Sequence, residues 1–315
     1  MKAKSISKLL YSILLSLIFV SCEDPGFTKL TFSSSVNAEA RIEYYNGTEG
    51  VALYYSALPF WLRVPQEVLG YKVIRVKLAD AKDKTSLYVA NFPESLIVID
   101  SLSGCTNLTE ITFPSTLKVF PLMIGCTTLE SIEIPDNVNT LLNSTFSGCT
   151  ALKNIKFGKG LYCIDTAAFS KCTALSEITL PDTVSELHSN AFSDCTALTT
   201  VSTGNGLSFI PETAFSGCTA IKTLYLGKKL TGIEAGAFEK CSNLSTVTCH
   251  AEEPPSIEKT SFKTTEISST SSTSGSDSTD ENNYTIKISL KVPSNSIEKY
   301  KNHKIWGKFT SITEI

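Results

Sequence analysis

Seven stretches of this 315-residue chain end alike: Gly104-Cys105, Gly125-Cys126, then TFSGC to Cys149, AFSKC to Cys172, AFSDC to Cys195, AFSGC to Cys218 and AFEKC to Cys241. The cysteines are spaced by 21 residues once and by 23 residues thereafter. A fixed period in the twenties dictates a solenoid. Each repeat is one supersecondary unit that cannot bury its own apolar stripe, and stacking against its neighbours builds a continuous core.

Within one unit the pattern can be read as physics. With Cys172 as position one, apolar residues recur at positions four, seven, nine, thirteen, sixteen, twenty and twenty-one: Leu175, Ile178, Leu180, Val184, Leu187, Ala191 and Phe192. The step from seven to nine is that of a strand, whose alternate side chains share a face. Position ten is Pro or Gly throughout (Pro93, Pro114, Pro135, Gly158, Pro181, Gly204, Gly227) and ends the strand in a turn. A short extended segment is expected around position sixteen. The polar residues ahead of the Ala-Phe pair then read as the opening of a short helical turn.

The unit CTALSEITLPDTVSELHSNAFSDC resembles the leucine-rich repeat of BspA-like bacterial surface proteins, and the resemblance covers roughly residues 84–262. It implies a leucine-rich-repeat solenoid, β-rich with short helical turns, of about seven 21–23-residue repeats with a cap at each end. The first two units lack the Ala-Phe pair, so a tighter back turn is expected there.

The amino terminus carries a different signal. Lys2, Lys4 and Lys8 precede an apolar run over residues 9–20, too short to span a bilayer and patterned as a secretory signal. FVSC resembles a bacterial lipobox, which implies cleavage after residue 21 and lipidation of Cys22. Glu23 and Asp24 are similar to the acidic tag of outward-facing Bacteroidetes lipoproteins. The implied location is the bacterial outer membrane, at the cell surface, held by the lipid anchor.

The remaining divisions follow composition. Residues 22–40 read as a Ser-rich tether. Residues 41–83 read as an amino-terminal cap, with a hairpin at Asn46-Gly47 and a loop running on through Gly50. Phe60, Trp61 and Tyr71 are expected to cover the open end of the solenoid. The repeats occupy residues 84–240. A carboxy-terminal cap spans 241–315, with Tyr300, Trp306, Phe309, Ile312 and Ile315 as its apolar set and a disordered Ser/Thr-rich insertion at 263–283.

Chemistry finds little support. The ten cysteines invite a disulfide reading, but one per rung at an inward position makes a ladder of small buried hydrophobes. Cys163 stands at a position that varies between units and is expected to be exposed. Cys249 and His250 read as a core cysteine beside a surface histidine. The sequence has no C-x-x-C, P-loop, G-x-G-x-x-G, G-x-S-x-G or H-E-x-x-H, so no catalytic residue, metal ligand or cofactor is assigned. A net charge of −3 leaves no basic footprint for nucleic acid.

The surface remains. Solenoids bind along the rows of side chains their strands present. The candidate binding face is Lys156, Thr179, Ser202, Lys222, Tyr225 and Thr248, with Tyr225 and its surrounding lysines (Lys228 and Lys229 included) as anchor. The resemblance to BspA-like proteins implies adhesion to a host matrix protein, another cell-surface protein or a glycan, by multivalent contact without chemistry. Glycan capture for nutrient uptake, or a periplasmic scaffold, are the alternatives.

Overall fold

The computed structural model describes residues 19–22, 28–31, 38–45, 48–68, 70–78, 80–81, 83–262 and 285–315. Its body is a right-through stack of rungs joined by parallel strand pairing. Each 23-residue rung contributes a strand at positions six to eight and a shorter one near positions fifteen and sixteen. Glu177–Thr179, Thr200–Ser202, Thr223–Leu226 and Thr246–Cys249 form one continuous parallel ladder, and position seven faces position seven: Ile178, Val201, Leu224, Val247. Thr140–Leu141, Cys163–Ile164 and Glu186–Leu187 form a second ladder on another face.

The expected inward register holds. In the unit from Cys172 all seven apolar positions are buried. In the second and fourth units, counted from Cys105 and Cys149, Ile111 and Ile155 at position seven are only half-buried. The inward position nine of the unit from Cys195 is a threonine, Thr203, fully buried. Its hydroxyl is satisfied where an unpaired one would cost stability: it accepts from the Gly227 amide at 3.0 Å.

The corner before each cysteine takes the form of single hydrogen-bonded turns, not α-helix. Position nineteen is left-handed in successive rungs, at Ser144, Ala167, Asn190, Thr213 and Gly236, with φ between 54° and 67°. That conformation breaks any helix. It lets the backbone bond sideways, so that Phe146 N donates to Ala168 O, Phe169 N to Ala191 O and Phe192 N to Ala214 O. The phenylalanines consequently stack. Phe146, Phe169, Phe192, Phe215, Phe238 and Phe262 have centroids 5.1–5.3 Å apart and rings within 13° of parallel.

The nine cysteines from Cys105 to Cys249 are free and buried. Those of the repeats do more than fill space. Cys172, Cys195 and Cys218 donate their thiols to the carbonyls of Phe146, Phe169 and Phe192, one rung back, at 3.0–3.3 Å. Burial pushes the Cys105 thiol up to about 11 and the Cys241 thiol up to about 12, so these groups stay protonated and inert.

The caps differ from expectation in detail. The amino-terminal hairpin pairs Ala38–Tyr45 with Thr48–Tyr55, Tyr45 facing Thr48. Gly50 therefore lies in the second strand, where a Cβ would come 2.7 Å from Lys72 O, and not in a loop. The hairpin also begins before residue 41, because Ala38 and Ala40 alternate into the core. Upstream, the backbone of Thr28–Thr31, inside the segment read as a tether, pairs antiparallel with both Phe19–Cys22 and the hairpin. Residues 1–18 of the signal segment and the insertion at 263–283 lie outside the described residues.

At the far end, Ile286–Val292 continues the parallel ladder next to Thr246–Cys249, and Phe309–Glu314 closes it. Helix Ile297–Asn302 lies against this end. Tyr300 and Trp306 are fully buried with their polar ends paired, Tyr300 Oη donating to Ala251 O at 2.9 Å and Trp306 Nε1 to Pro255 O at 2.7 Å. Ile315, expected in this apolar set, is instead 51% exposed, beyond the last ladder strand. Among the described residues no helix is long and apolar enough to cross a membrane.

Candidate binding face

The outward positions of the strand face carry the candidate residues. Lys156, Thr179, Lys222 and Tyr225 are exposed and Ser202 is half-buried. Ser202 and Tyr225 are direct neighbours in register, and Tyr225 is 41% exposed. Thr248, the next in the row, is buried at 6%. It is a small side chain held in register between Tyr225 and Lys291, both long, because the carboxy-terminal cap adds one more strand beside it. It does not belong to the exposed face.

Lys156 is also separated from the Tyr225 region. It lies three rungs away, on a strand that is not paired with the ladder carrying Tyr225. Its ammonium pairs with Glu133 on the previous rung, and that hydrogen bond, with the adjacent charge, holds its pKa above the ordinary lysine range. Lys153–Glu130 and Lys159–Asp136 repeat this pairing on either side. Lys228 and Lys229 act on Asp182. That carboxyl is held below its usual range first by the Asn205 amide donating at 2.7 Å, then by the Asn205 side chain, then by the two lysines. The basic cluster expected around Tyr225 therefore does not include Lys156, which pairs with Glu133, while the charges of Lys228 and Lys229 act on Asp182.

The structure adds two features to this face. The first is a break. Ser131–Glu133 pairs with Asn154–Lys156, but this pair is not laddered to Glu110–Thr112 before it or to Glu177–Thr179 after it. The opening is a groove of about 540 Å³ with Ile111, Ile132, Ile155 and Ile178 on its floor and Glu133, Lys156 and Glu177 on its walls. Half-burial of Ile111 and Ile155 follows from this gap.

The second feature lies at the amino-terminal edge. Trp61–Arg63 pairs with Val89–Asn91, which pairs with Glu110–Thr112, so residues 61–63 are the edge strand of the same face. Leu62 points inward at 2% exposure; Trp61 and Arg63, its neighbours, must therefore point outward. Trp61 is 70% exposed and Phe60 54%. Phe60 stacks on Tyr88 with centroids 4.2 Å apart and meets Trp61 edge-on at 5.8 Å. Phe60, Trp61 and Tyr71 thus do not cover the solenoid end as expected; Val51, Leu53, Tyr55 and Leu58, all buried, line the core there. The alternation of Trp61, Leu62 and Arg63 carried this information, had the unit register been extended back to residue 61.

On the second ladder, Cys163 is buried and not exposed as expected. It sits in register with Glu186, and burial first, then the Glu186 carboxylate, pushes its thiol up to about 11.

Comparison with known proteins agrees with this architecture. A search of curated proteins finds no match. Among solved structures, a leucine-rich repeat protein from Bacteroides ovatus is similar at 15% identity with a TM-score of 0.55, over 90% of this chain and 76% of that one. The T. pallidum leucine-rich repeat protein is 24% identical, over 65% of this chain and 87% of that one, with a TM-score of 0.46. The profile of the BspA type leucine rich repeat region matches in six copies over residues 81–195, 123–245 and 163–291, and the chain belongs to that family.

Proposed function

We propose that this protein is a lipid-anchored binding protein of the bacterial cell surface. In this reading the solenoid's strand face adheres to host proteins, other cells or glycans and performs no chemistry. Cys22 is the lipid attachment point. The observation that carries the reading is the Phe60–Trp61–Tyr88 platform: a tryptophan left 70% exposed beside a stacked aromatic pair on the outward side of an edge strand. Large exposed aromatics are expensive to hold in water and are enriched where a partner buries them. The anchor moves from Tyr225, which stays as a second contact, to Trp61.

Glycan capture for nutrient uptake is the second reading, favoured by one observation. On the same exposed strand surface, in register with Arg63 and two residues along from Trp61, Thr112 Oγ1 donates to Asn91 Oδ1 at 2.7 Å, so hydroxyl and amide groups share the face with the aromatics. Binding to an array of matrix proteins and polysaccharides distinguishes the two. Trp61→Ala is expected to remove about 2 kcal/mol or more of binding energy, and Tyr225→Ala less. Binding to either class that survives Trp61→Ala with unchanged affinity rules the platform out. An array with no hit favours a periplasmic scaffold, whose partners lie in its own envelope.

A further inference from the structure

The second ladder brings together residues that lie 23 positions apart in the chain. Cys163 and Asp165 stand on one rung, Glu186 and His188 on the next, and Cys163 faces Glu186 in register. Residues two apart on a strand share a face. Backbone bonds fix both strands: Glu186 N donates to Tyr162 O at 3.0 Å and His188 N to Ile164 O at 3.0 Å. One thiol sulfur, one carboxylate oxygen and one imidazole nitrogen, from Cys163, Glu186 and His188, lie within 4.8 Å of one another. Asp165 Oδ1 is 4.0 Å from His188 Nδ1.

We propose that Cys163, Glu186 and His188 form a binding site for a divalent transition cation of the zinc type. The donor set selects the ion. Thiolate and imidazole favour zinc-like cations over calcium or magnesium, which take oxygen donors only. Ligand bonds of about 2.0–2.3 Å put neighbouring donors of a tetrahedral site within the 4.8 Å limit that holds here. Three protein ligands leave a fourth position for water, and the Asp165 carboxylate beside the imidazole is placed to orient it, as carboxylates do for metal-bound histidines. Glu186 and Asp165 make the surroundings negative before any thiol ionises. Tyr162, the chain neighbour of Cys163, is an exposed aromatic beside the site.

The repeat itself does not require these residues. The positions equivalent to Cys163 and Glu186 hold Thr140, Phe209 and Gly232 in other rungs, so the ladder forms with any of them. A cation here would tie two rungs together in the middle of the solenoid.

The test uses the full chain carrying Cys22→Ser, kept reduced, with cobalt(II) as the probe and zinc(II) as competitor. One cobalt per chain is expected, with a near-ultraviolet sulfur-to-cobalt charge-transfer band that zinc abolishes. Cys163→Ser should remove the band. His188→Gln should weaken cobalt binding more than about tenfold, and His250→Gln, remote from the site, should leave it unchanged. Zinc should also raise the melting temperature of the parent chain but not of His188→Gln. Absence of the band in the parent, its survival in Cys163→Ser, or equal affinity in His188→Gln overturns the proposal. If Cys163→Ser does not fold, His188→Gln, altered at an exposed side chain, decides alone.

Discussion

Cysteine at the first position of each rung has a task that alanine or valine cannot perform. The Phe169 carbonyl is buried and accepts from both the Cys172 amide at 3.2 Å and the Cys195 thiol at 3.1 Å. The thiol is small enough for the core and polar enough to complete that carbonyl's pairing. The alternation at the strand positions is equally strict, and it can be tested at adjacent residues. Val201 is fully buried between Ile178 and Leu224. Val201→Asp would place a carboxylate with no partner among apolar side chains, a cost of several kcal/mol, and should abolish the cooperative thermal transition. Ser202→Asp, one residue on and facing outward, should shift stability by no more than about 0.5 kcal/mol. Parallel melts of the two variants check the register; similar melts would contradict it.

At the scale of elements, the carboxy-terminal cap depends on a titrating group. His303 Nδ1 accepts from the amides of Ile305 and Trp306, each at 3.2 Å, and so holds the short 3-10 turn Trp306–Lys308 that seats the buried Trp306. Accepting requires the neutral ring. Burial lowers the His303 pKa below its ordinary 6.5. The unfolded chain then binds more protons than the folded one between the two pKa values, so stability from this group is present above about 6.5 and is lost as pH falls toward the folded value. His303→Asn offers an uncharged acceptor at the same place. The melting temperature of the parent should fall more between pH 7 and pH 5 than that of His303→Asn, and parallel curves would show that the ring does not report on the cap. The caps were also where sequence reading was least complete. Tyr300, Trp306 and Phe309 are legible as apolar residues after a strand, whereas the outward turn of Trp61 is legible only from strand register, because bulk alone suggests burial and register decides which face a strand residue takes.

At the scale of the molecule, periodicity made the solenoid legible because a 23-residue interval brings like residues together in every rung, and the inward set from Leu152 to Phe238 followed directly. What the period hides is what differs between rungs. The Cys163–Glu186–His188 group is formed by neighbours in space that are 23 residues apart, so no local motif announces it. The strand-face groove arises likewise from a missing ladder, which hydrophobic pattern does not encode. That gap has a dynamic consequence. The phenylalanine stack and its backbone bonds run without interruption past the rungs from Cys126 to Cys195, while on the strand face Ser131–Glu133 and Glu177–Thr179 each lack a laddered neighbour on one side. Thr200–Ser202 and Thr223–Leu226 have neighbours on both. Amides with fewer fixed partners open at lower cost than the whole fold. Native-state hydrogen exchange should therefore be faster over Ser131–Glu133 and Glu177–Thr179 than over Thr200–Ser202 and Thr223–Leu226. The turn amides Phe169 and Phe192 should exchange as slowly as the slowest class. Equal protection along the strand face would mean that the ladder closes in solution and that the groove is not a standing feature of the binding face.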